Sequence, residues 1–486
     1  MRTSLTHPLQ IAELRPFADS GRIGITFCPG KVQPGAMSGS WNRDLGLDLD
    51  AIGDWGAVAV VTLVEDHELA TLQVAGMGAE VRARHMDWFH LPIPDVAVPD
   101  QRFERDWALA GPDLLGRLRS GFDVLVHCKG GLGRAGTIAA RLMAELGTDP
   151  GRAIAAVRAV RPGAIETLEQ ERFVLRQHER PEPEPLATEG AIRDRAAGAL
   201  LGLALGDALG TTLEFRSRDS YPLLTGMVGG GPFGLKPGEW TDDTAMALAL
   251  GDSLAADADL DVGDLMQRFV DWHEHGTYSC TGQCFDIGIT TRQALARWKS
   301  SGDPMAGSTD PMSAGNGSLM RLAPVAIRHW RDRERLRDVA ARQSRTTHAA
   351  AEAVDACVAW ADLLADAIEG QPRSAVLRNR SGGYADRIEE IMSGSWRGRT
   401  RGQIRASGYV AHSLEAALWS VGASGDFSGA VLRAANLGED ADTTAAITGQ
   451  LAGALQGARA IPRTWRDGLA WSSRIEDLAH QLFDVS

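Results

Sequence analysis

Two rhythms of apolar and polar positions divide this chain. In its first part, short β-branched runs at residues 23–27, 58–64 and 123–127 are bounded by glycine, proline or acid and read as strands. The last of these has an apolar centre, as a strand buried on both faces requires. Between the runs, residues 66–77 and 102–119 carry helical spacing. Strands alternating with helices predict an α/β domain with a mostly parallel central sheet. Sheets of that kind bind ligands beyond the carboxyl ends of their strands.

The rhythm changes at HERPEPEPLATEG, residues 178–190, where proline alternates with acid and stiffens the chain into an extended linker. Beyond it, residues 196–209, 264–275, 288–299, 349–367, 413–421 and 444–458 read as helices, and no convincing strand appears. The first of these is rich in Ala and Gly around a single Asp207, which predicts a closely packed core helix rather than a membrane segment. The expected multidomain layout is an α/β domain at 1–178, a linker at 179–189 and an all-α domain at 190–486.

Candidate chemistry in the first domain falls just after its third strand, in HCKGGLGRAGT, residues 127–137. Between Cys128 and Arg134 lie Lys129, Gly130, Gly131, Leu132 and Gly133, and a helix is expected over 137–146. Glycines let such a loop curl until its amides face a phosphate, and the helix start adds positive potential. That field favours the thiolate, the nucleophilic form of Cys128. Arg134 is able to grip phosphoryl oxygens through two parallel hydrogen bonds. The leaving oxygen then needs an acid, which HLPIPDVAVPD offers as Asp95 or Asp100. Asp95 is the better candidate, because Pro94 and the preceding strand fix its place; the competing reading is a solvated turn.

In the second domain, GEDADTTAAITG at 438–449 sets Asp440 and Asp442 before two threonines and a small-residue helix. Neighbouring acids repel and Asp is a poor helix former, so the start reads either as a double cap or as a set of ligands for a hard cation. The same chemistry recurs upstream in Thr241, Asp242 and Asp243. Together with Thr443, these residues suffice for a dinuclear Mg²⁺ site, with Glu214 or Asp286 nearby. Asp207 and Asp286 also read as caps, and Glu214 as an exposed residue. The glycine turn holding Asn316 and Ser318 is able to offer amides to a phosphate.

These motifs carry two resemblances. Residues 127–137, with PIPD and RPGAIETLEQ, resemble the signature of the protein tyrosine and dual-specificity phosphatases, nearest the kinase-associated phosphatase branch, over roughly the first 175 residues. The resemblance implies Cys128 as nucleophile, Arg134 as phosphate clamp, Asp95 as general acid and Gln170 as a guide for the hydrolytic water, with no cofactor. Ala135 departs from it, standing where the branch usually has serine or threonine. From Gly190 to Ile461, GDALG, WTDDT, CFDIG, GNGSLMR, GYVAHSLEAALW and NLGEDADTTAAITGQLAGA resemble the ADP-ribosylglycohydrolase family, nearest the dinitrogenase reductase-activating branch. This implies two Mg²⁺ ions held by Thr241, Asp242, Asp243, Asp440, Asp442 and Thr443. It also implies Asp286 at the scissile linkage, Glu214 in a mobile loop, Gly315, Asn316, Gly317 and Ser318 against the diphosphate, Tyr409 stacked on the ligand and His348 lining the pocket. Glu439 stands where glycine is common.

Composition narrows the partners. A net charge of −13 over 486 residues argues against broad binding of nucleic acid or acidic membranes. The five cysteines form neither a disulfide framework nor a zinc pattern, and Cys280 with Cys284 makes at most half of one. The N-terminus lacks an apolar signal region, so the expected home is the cytoplasm. The arginine-rich stretch 395–405 reads as a solvated loop or as a guide for an acidic substrate. The resulting expectation is a bifunctional hydrolase. One half removes ADP-ribose from a modified arginine protein or a small molecule, and the other removes phosphate from a protein or metabolite. Two alternatives stand beside it: one half serves only as a phosphate or ADP-ribose binding module, or both act in turn on one phosphorylated ADP-ribose species.

Overall fold

The computed structural model describes residues 1–36 and 39–486. The chain forms two compact units, Met1–Pro183 with Arg397–Thr400, and Glu184–Trp396 with Arg401–Ser486.

The first unit has strands β1 (Ala12–Leu14), β2 (Ile23–Phe27), β3 (Val32–Gln33), β4 (Trp41–Asn42), β5 (Ala57–Thr62), β6 (Asp87–His90) and β7 (Asp123–Cys128). Its helices are α1 (Leu45–Trp55), α2 (Asp66–Thr71), α3 (Met77–Ala83), α4 (Gln101–Arg119), α5 (Gly133–Glu145), α6 (Pro150–Val160) and α7 (Leu168–Leu175). The main sheet runs β1-β2-β7-β5-β6, with every pair parallel except β1–β2, while β3 and β4 make a separate ribbon. Helices cover both faces, so β7 is buried at every position, which its apolar centre anticipates. Register pairs Phe27 with Cys128 and Thr62 with His127, which sets Cys128 at the carboxyl edge of the middle strand.

Three differences from the sequence reading have local causes. The helix expected over 66–77 is two helices, because Gln73 turns left-handed at φ 60° between them. The helix expected at 137 begins at Gly133, so Arg134 lies within its first turn. Strands β1 and β6 are too short to show a period.

The second unit has fourteen helices among the described residues: α8 (Glu189–Gly210), α9 (Asp242–Ala256), α10 (Val262–His275), α11 (Ile289–Ser301), α12 (Ala323–His329), α13 (Arg333–Thr347), α14 (Ala351–Glu369), α15 (Arg373–Val376), α16 (Asp386–Met392), α17 (Val410–Gly422), α18 (Phe427–Ala435), α19 (Ala441–Gln456), α20 (Arg463–Gly468) and α21 (Ser472–Asp484). Only isolated bridges, among them Gly315–Tyr409 and Ser308–His348, add extended pairing. Helix α8 is long and apolar enough to cross a membrane, yet 94% of its apolar window is buried inside the fold. Its glycines explain why. A Cβ on Gly198, Gly202, Gly206 or Gly210 would sit 2.3, 2.1, 2.1 or 2.3 Å from the carbonyl oxygen of Gly453, Gly449, Ala445 or Ala441 in turn. This four-residue ridge lets α8 and α19 run antiparallel with backbones in contact. The crossing places Asp207, near the end of α8, beside Asp442, near the start of α19.

Candidate functional site

In the first unit the loop after β7 curls back on its own cysteine. Gly131 N–H donates to Cys128 Sγ at 3.2 Å. Gly131 has φ 69°, and a Cβ there would lie 2.6 Å from the backbone of Thr26 and Phe27 on β2, so only glycine fits. Arg134 is buried and braced: Nη1 and Nη2 donate to Glu68 Oε2 and Oε1 at 2.6 and 3.0 Å, and Nη1 also reaches the Ile93 carbonyl at 3.0 Å. Burial works against the charge of Glu68, but its bonds from Arg134 and from the Glu65 amide hold its pKa below the ordinary value. Asp95, largely exposed, lies against the same guanidinium at 2.9 Å. Asp100 is elsewhere employed, accepting the Phe103 amide as the N-cap of α4.

Residues not singled out in the sequence complete this site. Arg161 Nε and Nη2 donate to the Gly131 and Gly130 carbonyls at 3.0 and 3.3 Å and hold the outer wall of the loop. Lys31 Nζ donates to the Lys129 carbonyl at 3.1 Å, and burial pushes its pKa down to about 8. Arg161 opens the RPGAIETLEQ stretch, whereas no motif flagged Lys31. Gln170 is fully buried, its Oε1 accepting the Glu166 amide and its Nε2 donating to the Ala97 carbonyl. Its amide therefore ties the Asp95 loop to the start of α7, and it packs beside Gly133.

In the second unit the hydrogen bonds show which acids take the helix amides. Neither Thr241, which precedes α9, nor Asp440, which precedes α19, caps its own helix. Acids from elsewhere do so. Asp207 Oδ1 accepts from Thr241 N and Oγ1, both at 2.9 Å, and Oδ2 accepts from Thr244 N and Oγ1 at 3.0 and 2.6 Å. Glu214 Oε2 accepts from the Ala441 and Asp442 amides at 2.7 and 3.3 Å. Asp207 is thus a cap, but of another element's helix. Glu214 is only 3% exposed and hydrogen-bonded to the start of α19, unlike the exposed residue the sequence suggested.

Apart from the Thr443 amide, which Asp442 Oδ1 accepts at 2.7 Å, these amides are answered from outside, and the acids at the two helix starts face each other. Carboxylate oxygens of Asp207, Asp243 and Asp442 lie within 4.8 Å of one another, as do those of Glu214, Asp440 and Asp442. Asp243 Oδ1 is buried without a hydrogen-bond partner. Burial, and then repulsion among neighbours, drives Asp242 and Asp243 well above the ordinary carboxyl range, Asp207 and Asp440 to about 7 and Asp286 to about 11. A cluster of oxygen donors with an orphaned buried oxygen and this much mutual repulsion fits hard divalent cations.

Above the cluster opens a pocket of about 730 Å³, floored by Asp242, Asp440, Asp442 and Thr443 and walled by Glu214, Asp286, Gly315, Asn316, Gly317 and His348. Asn316 Nδ2 donates to Asp440 Oδ2 at 2.6 Å and to Ser413 Oγ at 2.8 Å. Phe215, Asp286 and Glu439 line the pocket with left-handed backbones, φ 59°, 59° and 62°. Strain of that kind gathers at binding sites. Phe215 and Glu439 share it through a bond from Phe215 N to Glu439 O at 2.8 Å.

Two expected pocket residues lie outside its lining. Ser318 is fully buried, where its hydroxyl accepts from Ser344 Oγ at 2.8 Å, so it supports the turn rather than facing the cavity. Tyr409 points its hydroxyl at Glu352 Oε2, 2.6 Å away, and contributes a backbone bridge to Gly315. The two residues before it, Ser407 and Gly408, line the wall instead.

Comparison with known proteins finds a family model for each part of the chain. The family model described as ADP-ribosylglycohydrolase matches residues 188–486. The chain belongs to the ADP-ribosylglycohydrolase family. Residues 30–174 match the DSP-PTPase phosphatase domain of Swiss Army Knife proteins. The ADP-ribosylarginine hydrolase Tri1 of Pseudomonas putida (strain GB-1) is 48% identical over 301 residues, 62% of this chain and 80% of that protein. The ADP-ribosyl-[dinitrogen reductase] glycohydrolase of Rhodospirillum rubrum is 33% identical over 282 residues, covering 57% of this chain and 91% of its own length. A solved structure titled ADP-ribosylglycohydrolase-related protein complex superposes with TM-score 0.54 at 39% identity, spanning 61% of this chain and 99% of that one. This member of the family therefore carries a phosphatase domain ahead of its glycohydrolase domain, and is a bifunctional hydrolase and phosphatase.

Proposed function

We propose that the second domain removes ADP-ribose from modified arginine on a protein, with Mg²⁺, and that the first hydrolyses phosphate monoesters through Cys128. The observation that carries the first reading is the exchange of caps: Asp207 and Glu214 take the leading amides of both helices, and a converging set of acids is left at the floor of a nucleotide-sized pocket. The likeness to ADP-ribosylarginine hydrolases supports arginine as the modified residue.

Thr241, Asp242, Asp243, Asp440, Asp442 and Thr443 would hold two Mg²⁺ ions, with Asp207 braced behind them. Ions held there supply fixed positive charge against ribose hydroxyls. The protein's own residues do the rest. Asn316, fixed by Asp440 and Ser413, lines the wall that faces the ligand. Asp286, set into the pocket by its left-handed backbone, gives a proton to the departing guanidine nitrogen as its bond to the anomeric carbon breaks, and water adds to that carbon and returns a proton to Asp286.

In the first domain, Cys128 Sγ forms a bond to phosphorus as the ester P–O bond breaks, and Asp95 gives the departing oxygen its proton. Arg134 and the loop amides hold the transferring oxygens, and water then releases phosphate and restores the thiolate. The 2.9 Å contact of Asp95 with the Arg134 guanidinium supports that role.

The test is to incubate the full chain with ADP-ribosylated arginine, serine and nucleic-acid substrates, in Mg²⁺ and in EDTA. Mg²⁺-dependent release from arginine alone supports the reading. Release unaffected by EDTA overturns the metal site, and release from another linkage overturns the substrate.

A further inference from the structure

Arg321 is fully buried and forms no ion pair with a carboxylate among the described residues, although the charge of Asp242 acts on it. Its guanidinium lies over the Phe269 ring at 4.6 Å. Nε donates to Gln343 Oε1 at 2.9 Å, and Nη2 donates to the Gln343 carbonyl and to Thr347 Oγ1, both at 2.9 Å. Burial pushes its pKa down to about 9, which still leaves it charged at neutral pH. Burying a guanidinium is costly, and nothing in the hydrolysis described above uses it directly.

Counting protons shows what it does. A guanidinium only donates, so Thr347 Oγ1 is the acceptor in that bond and keeps its own hydrogen to give. The neighbour at the right distance is His348 Nδ1, 2.8 Å away. Were Nδ1 the donor instead, the threonine hydrogen would have no acceptor in a fully buried place. Nδ1 is therefore the acceptor, and the proton of the neutral ring sits on Nε2. Burial, and then the charge of Arg321, push the His348 pKa down to about 3, so the ring stays neutral. Nε2 is turned toward the glycine turn of the pocket: a Cβ on Gly315 or Gly317 would fall 3.3 or 3.1 Å from it. Those two glycines leave the imidazole its room.

We infer that Arg321 and Thr347 are positioning residues that lock His348 as a neutral Nε2–H donor, and that its ligand in the pocket is an oxygen acceptor of the nucleoside-diphosphate sugar. The inference rests on the ADP-ribosyl reading of the pocket for its ligand, but not for the tautomer. It denies His348 two other roles, since a protonated Nε2 neither binds a cation nor takes a proton as a general base.

Two measurements test it. In the full chain labelled with ¹⁵N-histidine, two-bond ¹⁵N–¹H correlations should show His348 as the Nε2–H tautomer, unchanged between pH 8 and pH 5. Thr347→Val should disturb that pattern and raise KM for ADP-ribosyl-arginine about tenfold while kcat stays within about twofold, whereas Thr347→Ser restores both. A wild-type ring protonated on Nδ1 or doubly protonated at pH 6 overturns the inference, as does a folded Thr347→Val protein with wild-type KM and tautomer. If the enzyme released no ADP-ribose at all, the functional reading would fail while the wild-type spectrum still decided the tautomer.

Discussion

Gly202 and Gly449 meet backbone to backbone. A Cβ on Gly202 would lie 2.1 Å from the Gly449 carbonyl oxygen, and one on Gly449 would lie 2.0 Å from that of Gly202. Neither helix is able to yield without moving the acids beyond the contact, because Asp207 follows Gly202 on α8 and Asp442 precedes Gly449 on α19. Overpacking a backbone contact belongs at the upper end of small-to-large penalties, so Gly202→Ala should destabilise the second domain by about 3 kcal/mol. Differential scanning calorimetry should show its transition lowered. ADP-ribose release should fall with it, while phosphatase turnover in the same sample holds.

The acid cluster makes a prediction of opposite signs. Asp243 carries a buried carboxylate oxygen with no partner, among neighbours that repel it. Asp243→Asn removes part of that repulsion and should raise the melting temperature in EDTA. In wild type, Mg²⁺ at a hundred times its Kd should stabilise the fold by about 2.7 kcal/mol. In Asp243→Asn that gain should shrink or vanish, so the two melting curves cross over as Mg²⁺ is titrated in.

Glu68 bears no motif, yet it holds both terminal nitrogens of Arg134. Removing the brace in Glu68→Ala frees the guanidinium to leave the phosphate position, and a misplaced clamp costs about 100-fold. The drop should appear in kcat/KM for a chromogenic phosphate ester, with ADP-ribose release unaltered.

Acid should unfold the first domain partly through His127. The ring is fully buried, its Nε2 2.7 Å from Thr62 Oγ1, and burial pushes its pKa from 6.5 down to about 3. Below pH 6.5 the unfolded chain binds a proton that the folded chain refuses. Stability contributed by the neutral ring is therefore complete above pH 6.5 and is lost as pH falls from 6.5 toward 3, by up to about 1.4 kcal/mol per unit. His127→Gln should flatten that slope in denaturant midpoints measured between pH 7 and pH 4.

Much of this was legible in the chain. Cys128, Arg134 and the glycines between them declare a phosphate loop, and the recurrence of Thr-Asp-Asp at 241–243 beside 440–443 declares a shared site. What stayed hidden depends on partners distant in sequence. Glu68 braces the phosphate loop from another element, and its own neighbourhood looks like ordinary surface charge. Asp207 read as a local cap, because its true partners, the Thr241 and Thr244 amides, become neighbours only once α8 and α9 pack. Ser318 and Tyr409 erred the other way: each sits in a site-like motif, and packing turned its hydroxyl toward the scaffold.

The most direct test of two independent active sites in one chain is to assay both activities in Cys128→Ser and Asp442→Ala. Cys128→Ser should lose phosphate release and keep Mg²⁺-dependent ADP-ribose release at the wild-type rate, and Asp442→Ala should do the reverse. Loss of both activities in either folded variant would contradict it.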